Sequence, residues 1–432
     1  MNEEITHKTE KRPWIERLKE ESWEAELLVS ALALFGTFQL FSIIDWLANY
    51  FINVLPMHQY DIGYMITFYA LIAVSTLCAM FVIHFSLRAY WVGLVGLNSV
   101  FPDYDFDNSL FSPIYTKKLV KILPRVLDTI QKVDQLCSVI FSAAFAVLFM
   151  FVYLVIFSTL YLLAFNLLLP FVAWWVLLFP AAIIATISVI QILISSIANL
   201  KRFKHNERVQ HYYYIAVKLS WPLLNGPMHK NILQVFMMFT TNFKKDKALS
   251  FLIIVFLLVG TFVSISQITK THILYLINSD IFFNSTKTYN GMYASENEKR
   301  ENFSYLISPE IPSDIIQENY VKLFIPIYKS ERPLQKQYCD GLNEESAHSQ
   351  TNGLHIQNAY LQCYQSYHQI FLDDEELKLE MRKYDHPITK QFGVLAYIPI
   401  HDKSPGAYTL MVTKQFVADE QPIREWYIPF RK

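Results

Sequence analysis

The chain has 432 residues, of which 53% are hydrophobic and only 17% charged, where soluble domains carry about 25% charge. This composition indicates a membrane protein. The formal net charge of −1 gives no global pull toward nucleic acid, and four Cys are too few for a disulfide scaffold.

Residues 1–26 read as a cytoplasmic amphipathic segment. In "RPWIERLKEESWEAELL", Ile15, Leu18, Ser22 and Ala25 share a face, and Arg17 can pair with Glu20 or Glu21. Trp14 and Trp23 suit a membrane interface, so the segment leads into the first span, as one bent helix with it. Transmembrane helices one and two fall within 27–87, as apolar runs at 27–47 and 62–87.

Residues 88–136 form a cytoplasmic helical segment. Pro124 suits a helical first turn, and Ile122, Val126, Ile130 and Val133 lie on one face of a helix expected to run straight into span three. "DYDFDN" at 103–108 has carboxylates at alternate positions. However, a calcium loop would want Gly at Asn108 and Glu at Ile114, so an acidic, aromatic-laced loop is expected.

Transmembrane helices three and four occupy 137–200, with apolar cores at 139–165 and 172–200. Pro170 and Pro180 lie at or near their uncharged turn "FNLLLPF", beside Trp174 and Trp175. A second cytoplasmic helical segment covers 201–248. Span four is expected to continue through "NLKRFKHNERVQHYYYIAVKL" to Trp221-Pro222 and, with helices from 229–247, to build an inner stalk. His205 and His211 are six apart, on different helical faces, and His229 is remote, which is no metal-site spacing. Transmembrane helix five occupies 249–277, with its apolar core at 249–268.

Lys and Arg cluster before span one, between spans two and three, and after span four, whereas 48–61 and 166–171 contain neither. By the positive-inside rule this predicts five spans with the N-terminus in and the C-terminus out. The predicted location is a bacterial inner membrane, with 278–432 as a β-rich periplasmic domain. Cys339 and Cys363 then lie where thiols oxidise. A bridge between them would close a loop of roughly 25 residues, worth about 3 kcal/mol in the chain-entropy model. The sequons at Asn284 and Asn302 matter only in a pathway that glycosylates Asn.

The middles of the spans carry no Asp, Glu, Lys or Arg, which argues against an ion-driven pump. They do carry polar stripes: Ser188, Gln191, Ser195 and Asn199 in span four, Gly260, Ser264 and Gln267 in span five, and Gln39 in span one. Small residues and amides at such spacing pack helices together. The sharper reading is a polar path between spans one, four and five.

From residue 278 the apolar period falls to two. Strands are expected at 321–327 and 394–400, with another after the turn-rich "HDKSPG" and two short ones around Asp373-Asp374. Together these suggest a mainly β, sandwich-like domain. Three of its segments repeat one pattern: "LFIPI" at 323–327, "AYIPI" at 396–400 and "WYIPF" at 426–430. In each, Ile takes the core parity and Pro the opposite face, where it should sit at an edge, a strand end or a bulge, ending the pairing there. The aromatics before Ile-Pro, Phe324, Tyr397 and Tyr427, offer a candidate peptide or glycan groove.

No Gly-rich phosphate loop, G-x-S-x-G elbow or H-E-x-x-H motif occurs. The expectation is a non-catalytic integral membrane protein without cofactor or metal: a subunit, scaffold or sensor of a cell-envelope complex. Its partners would be the bilayer and other envelope proteins met through the exported domain. The alternative is a channel or transporter component using the stripes of spans four and five.

Overall fold

A computed structural model describes residues 13–102, 111–242, 247–268, 271–283, 289–300, 303–331, 361–414 and 424–432. The acidic loop at 103–108, both sequons, Cys339 and residues 343–360 lie outside the described residues. The chain divides into two compact units, Met1–Ile44 with Ile66–Gln267, and Asp45–Met65 with Ile268–Lys432.

The helices are α1 (Pro13–Val54), α2 (Tyr60–Val100), α3 (Pro113–Val120), α4 (Val126–Leu168), α5 (Trp174–Ala198), α6 (Glu207–Asn225), α7 (His229–Asn242), α8 (Lys247–Ile268), α9 (Ile273–Ile277) and α10 (Ala294–Asn297). The predicted amphipathic lead-in and first span are one helix, α1, which begins at Pro13, where the missing N–H costs nothing. Pro56, in an extended conformation, separates it from α2. Among the described residues, four helical segments are long and apolar enough to cross a membrane: 27–54, 57–100, 126–168 and 174–198. The predicted fifth span at 249–277 is not among these four: α8 covers it only to Ile268, and 273–277 form the separate helix α9.

The core of the first unit forms where Leu77, Met80 and Phe81 of α2 meet Ile140 of α4, with Ala33, Leu34 and Leu40 of α1 packed against them. Arg88, with 2% of its side chain exposed, reaches Asp134 at 2.7 Å, so a buried charge is paired between α2 and α4. The face predicted at 122–133 holds only in part. Val133 is buried, but Ile122 precedes α4 and is 80% exposed.

The expected stalk is not a continuation of span four. The α5 helix ends at Ala198, and α6 starts afresh because the Asn206 side chain accepts from the backbone N–H of Arg208 and Val209. Folded back on α5, α6 places Tyr213 on Ser195 (3.4 Å) and donates from Gln210 Nε2 to the Ala198 carbonyl at 2.9 Å. Pro222 is tolerated inside α6, which ends instead at Gly226 with φ +62°, a left-handed conformation that favours glycine. Tyr153 of α4 closes over that glycine and donates its hydroxyl to the Leu223 carbonyl at 3.3 Å.

Among the described residues the second unit contains seven strands: β1 (Tyr320–Pro326), β2 (His368–Leu372), β3 (Glu375–Glu376), β4 (Met381–Asp385), β5 (Phe392–Pro399), β6 (Ala407–Lys414) and β7 (Arg424–Arg431). They form two antiparallel sheets, β1-β5-β4 and β3-β2-β6-β7. The predicted pair around Asp373-Asp374 is the β2–β3 hairpin, whose turn residues both have positive φ. "HDKSPG" does not close a hairpin: it carries the chain from β5 in one sheet to β6 in the other.

The Ile-Pro repeats follow from ladder geometry. Ile325, Ile398 and Ile428 are fully buried. Ile327 N–H bonds the Phe392 carbonyl and Ile400 N–H bonds the Asn319 carbonyl, which makes Pro326 and Pro399 members of non-hydrogen-bonded pairs. The reciprocal bonds between Gly406 and Lys432 assign Pro429 to the same class on β7, an edge strand. In all three copies the missing N–H would therefore point away from the paired strand. Strands β1 and β5 end at Pro, with one more ladder bond from the following Ile, but in β7 the pairing continues to Arg431, against the expectation that all three stop at that step.

Candidate functional site

The residues singled out from sequence do not assemble into one site. Gln191 and Ser195 of α5 face a groove shared with α6 and α7. Ser188 and Asn199 spend their hydrogen bonds on carbonyls of α5 itself. Gly260 instead lets α8 approach α2, since a methyl group there would lie 3.2 Å from the Thr76 Cα. Ser264, buried, bonds back to the Gly260 carbonyl at 2.8 Å. Gln39 is exposed and Gln267 half-buried. The stripes of α5 and α8 thus lie against different helices.

The aromatics of the proposed groove separate as well. Phe324 is only 3% exposed, covered by Leu306 and Phe303 and packed on Tyr384. Tyr397 is 42% exposed and stacks edge-on with Tyr320, while Tyr427 lies on the other sheet, bonded to Glu425. Cys363 is buried, and its proposed partner Cys339 is outside the described residues.

A different constellation occupies the second unit. Its centre is a buried ion pair, Lys414 Nζ to Glu331 Oε1 at 2.7 Å, with 0% and 1% of the side chains exposed. Strand β6 delivers Lys414 on the inward parity of Leu410 and Val412, and Arg424 enters from β7 on the parity of Trp426 and Ile428. These two cations are directly opposite one another in the ladder. Lys414 also donates to the Pro326 carbonyl at 2.7 Å and lies 5.0 Å from the Tyr328 ring. Arg424 stacks over Phe283 at 5.3 Å, and its charge acts on the hydroxyl of Tyr60, whose ring meets that of Tyr275 at 6.1 Å.

This cluster is dry and highly polar. Burial pushes the Lys414 ammonium below its ordinary value, against the pull of Glu331. It pushes the Tyr305 and Tyr328 hydroxyls well above theirs, with neighbouring tyrosines and Glu331 adding to the rise. His368 sits opposite Lys414 across the β2–β6 ladder. Its Nδ1–H donates to the Tyr364 carbonyl at 2.6 Å. Burial, then the Lys414 charge, pushes its imidazole down to about 3. The arrangement holds charge by mutual pairing; it fastens elements together. Tyr60 comes from the start of α2, Tyr275 from α9, Tyr328 and Glu331 from the segment after β1, and the cations from β6 and β7.

Three further bonds tie the end of α1 to the same unit. Asn49 Oδ1 of α1 contacts His272 Nδ1 at 2.7 Å, Asn53 accepts from the Lys329 N–H at 3.1 Å, and Ser304 reaches Asp45 at 3.4 Å. A second buried pair, His386 Nε2 to Glu310 Oε2 at 2.9 Å, is completed by Asn297 donating to Glu310 Oε1 at 2.6 Å. Thr389 bonds His386 Nδ1 through both its hydroxyl and its N–H, so this imidazole closes the turn from β4 to β5.

The signal for the main cluster was present but masked. A Lys and an Arg at strand ends read as solvated, although each continues the inward parity of its strand. Among the described residues, no group of three His, Cys, Asp or Glu is placed to hold a metal ion. The chain matches no protein-family model, and neither a curated protein nor a solved structure matches it.

Proposed function

We propose that this chain is a non-catalytic integral membrane protein of the cell envelope, a scaffold or sensor subunit that couples an exported β-domain to helices reaching the other side. It has five spans, α1, α2, α4, α5 and α8, with the N-terminus inside and residues 278–432 in the periplasm. Its partners are the bilayer and other envelope proteins that meet the β-domain. The observation that carries this reading is the membership of the second unit: 45–65, the junction between the first two spans, belongs with the β-domain. They are fastened by Asn53 accepting from the Lys329 N–H at 3.1 Å and Asn49 meeting His272 at 2.7 Å, with the buried pair two residues beyond Lys329. A load or ligand on the sheets therefore acts directly on span ends.

The membrane reading draws on the outer surfaces of the helices. In the most apolar window of α5 no residue is buried, and in that of α4 only 6% are. Apolar surface on that scale supports a lipid-facing reading. Charge asymmetry sets the orientation, because Lys and Arg flank the α5–α6 turn but are missing from 48–61 and 166–171.

Paired reporter fusions test this. A reporter active only in the cytoplasm should be silent after Lys432 and active when inserted in the turn at 201–206. Activity after Lys432 contradicts the exported domain and the five-span topology.

A further inference from the structure

The α6–α7 hairpin was expected to stand clear of the membrane, yet it folds back along α4 and α5. The register can be followed across helices. Tyr161 bonds the Leu177 carbonyl, Ser195 meets Tyr213, and Tyr153 bonds the Leu223 carbonyl. The tip at Gly226 is therefore level with Tyr153, which is 15 residues, about 22 Å, from the α4 end at Leu168. A hydrocarbon layer about 30 Å thick, measured from the uncharged 169–173 turn, includes that tip.

Between α5, α6 and α7 lies a groove of about 890 Å³. Gln191 and Ser195 line it from α5, Lys218 and Trp221 from α6, Lys230 and Phe236 from α7. The lysines are the only Lys or Arg among the lining residues, which include no Asp or Glu. Gln191 Oε1 is buried without a hydrogen-bond partner. Two ammonium groups at this depth without an anion are costly. Beside them, Ile192, Leu233 and Met237 add apolar lining, suited to an acyl chain.

We propose that this groove binds one anionic phospholipid of the inner leaflet. Its phosphate neutralises Lys218 and Lys230, and its acyl chain lies on the apolar lining. This rests on the membrane reading above. The complementarity is of charge as well as of shape: a zwitterionic headgroup would bring its own cation to two lysines, and a free phosphate would leave the apolar lining bare.

The test uses the full chain purified in mild detergent and titrated with phosphatidylglycerol or phosphatidylcholine under native mass spectrometry. One phosphatidylglycerol per chain should be retained, with at least about a ten-fold preference over phosphatidylcholine, since two charge-assisted contacts are at stake. Lys218→Gln with Lys230→Gln should bring the preference within about two-fold, and Lys201→Gln with Lys204→Gln should leave it unchanged. Loss in both double variants, or no preference in the wild type, overturns the proposal. So does displacement of the lipid by inorganic phosphate alone, which would assign the site to a free anion.

Should the groove variant fail to fold, the wild type still decides. Phosphatidylglycerol with brominated chains should quench the Trp221 emission, taken as the difference from Trp221→Phe, and absence of quenching overturns the proposal. Alkaline extraction of native membranes separates the two readings. A chain released by alkali fails the membrane reading itself, whereas one retained in the membrane without bound phosphatidylglycerol fails only the groove.

Discussion

Lys414 on β6 and Glu331 after β1 form an ion pair 2.7 Å long with essentially no solvent contact. Such a pair stabilises little relative to apolar residues of the same volume, but half of it is a heavy liability. Glu331→Ala or Lys414→Ala should each lower stability by about 3–5 kcal/mol. Lys414→Met combined with Glu331→Leu should recover most of that loss. Chemical unfolding in detergent, followed by the emission of Trp426, measures both. Additive losses in the double variant would mean that the two groups do not act as a pair.

His368 gives the β-domain an acid-sensitive element. Its folded value of about 3 lies below the ordinary 6.5, so between these limits the unfolded chain binds the extra proton. The contribution is complete above pH 6.5 and is lost as the pH falls toward 3, at up to about 1.4 kcal/mol per pH unit. Unfolding measured from pH 4 to 7 should be steeper in pH for the wild type than for His368→Leu.

The Ile-Pro repeats predict an asymmetry between neighbours. Pro326, Pro399 and Pro429 hold no position where a ladder N–H is needed. Replacing any one by Thr should change stability by no more than about 1 kcal/mol. Ile325→Ala, Ile398→Ala or Ile428→Ala removes a fully buried side chain and should cost about 2–5 kcal/mol. Thermal melts of the six single variants check the contrast, and comparable losses at Pro and Ile would contradict the register.

Much of this fold was legible from apolar length and period. The four long apolar runs predicted at 27–47, 62–87, 139–165 and 172–200 fall largely on helices long and apolar enough to cross a membrane. The strands at 320–326, 392–399 and 424–431 show their period of two on the page. The fold-back at 199–206 was hidden because α6 keeps a helical pattern on both sides of the break. Only Asn206 as an N-cap and Gly226 as a left-handed stop mark the ends, and both are common residues elsewhere. The polar cluster was hidden for another reason. Tyr60, Tyr275, Glu331, Lys414 and Arg424 are far apart in the chain, and pairing between distant charges leaves no local pattern.

Oxidation of the β-domain is the next expectation. Cys363 is buried within the helical segment 361–366 that precedes β2, and we expect it to pair with Cys339. Thiol labelling of unfolded, unreduced protein from native membranes should miss both residues while reaching Cys78 and Cys137. Full labelling of all four would remove the bridge.

The central claim is that 45–65 and the β-sheets are one cooperative unit, coupled through Arg424, Lys414 and Glu331. Hydrogen exchange on the full chain in detergent, comparing the wild type with Glu331→Gln, tests it most directly. The account predicts that amides of 45–65 lose protection together with those of β6 and β7, while α4 and α5 keep theirs. Loss confined to β6 and β7, with 45–65 unchanged, would contradict it.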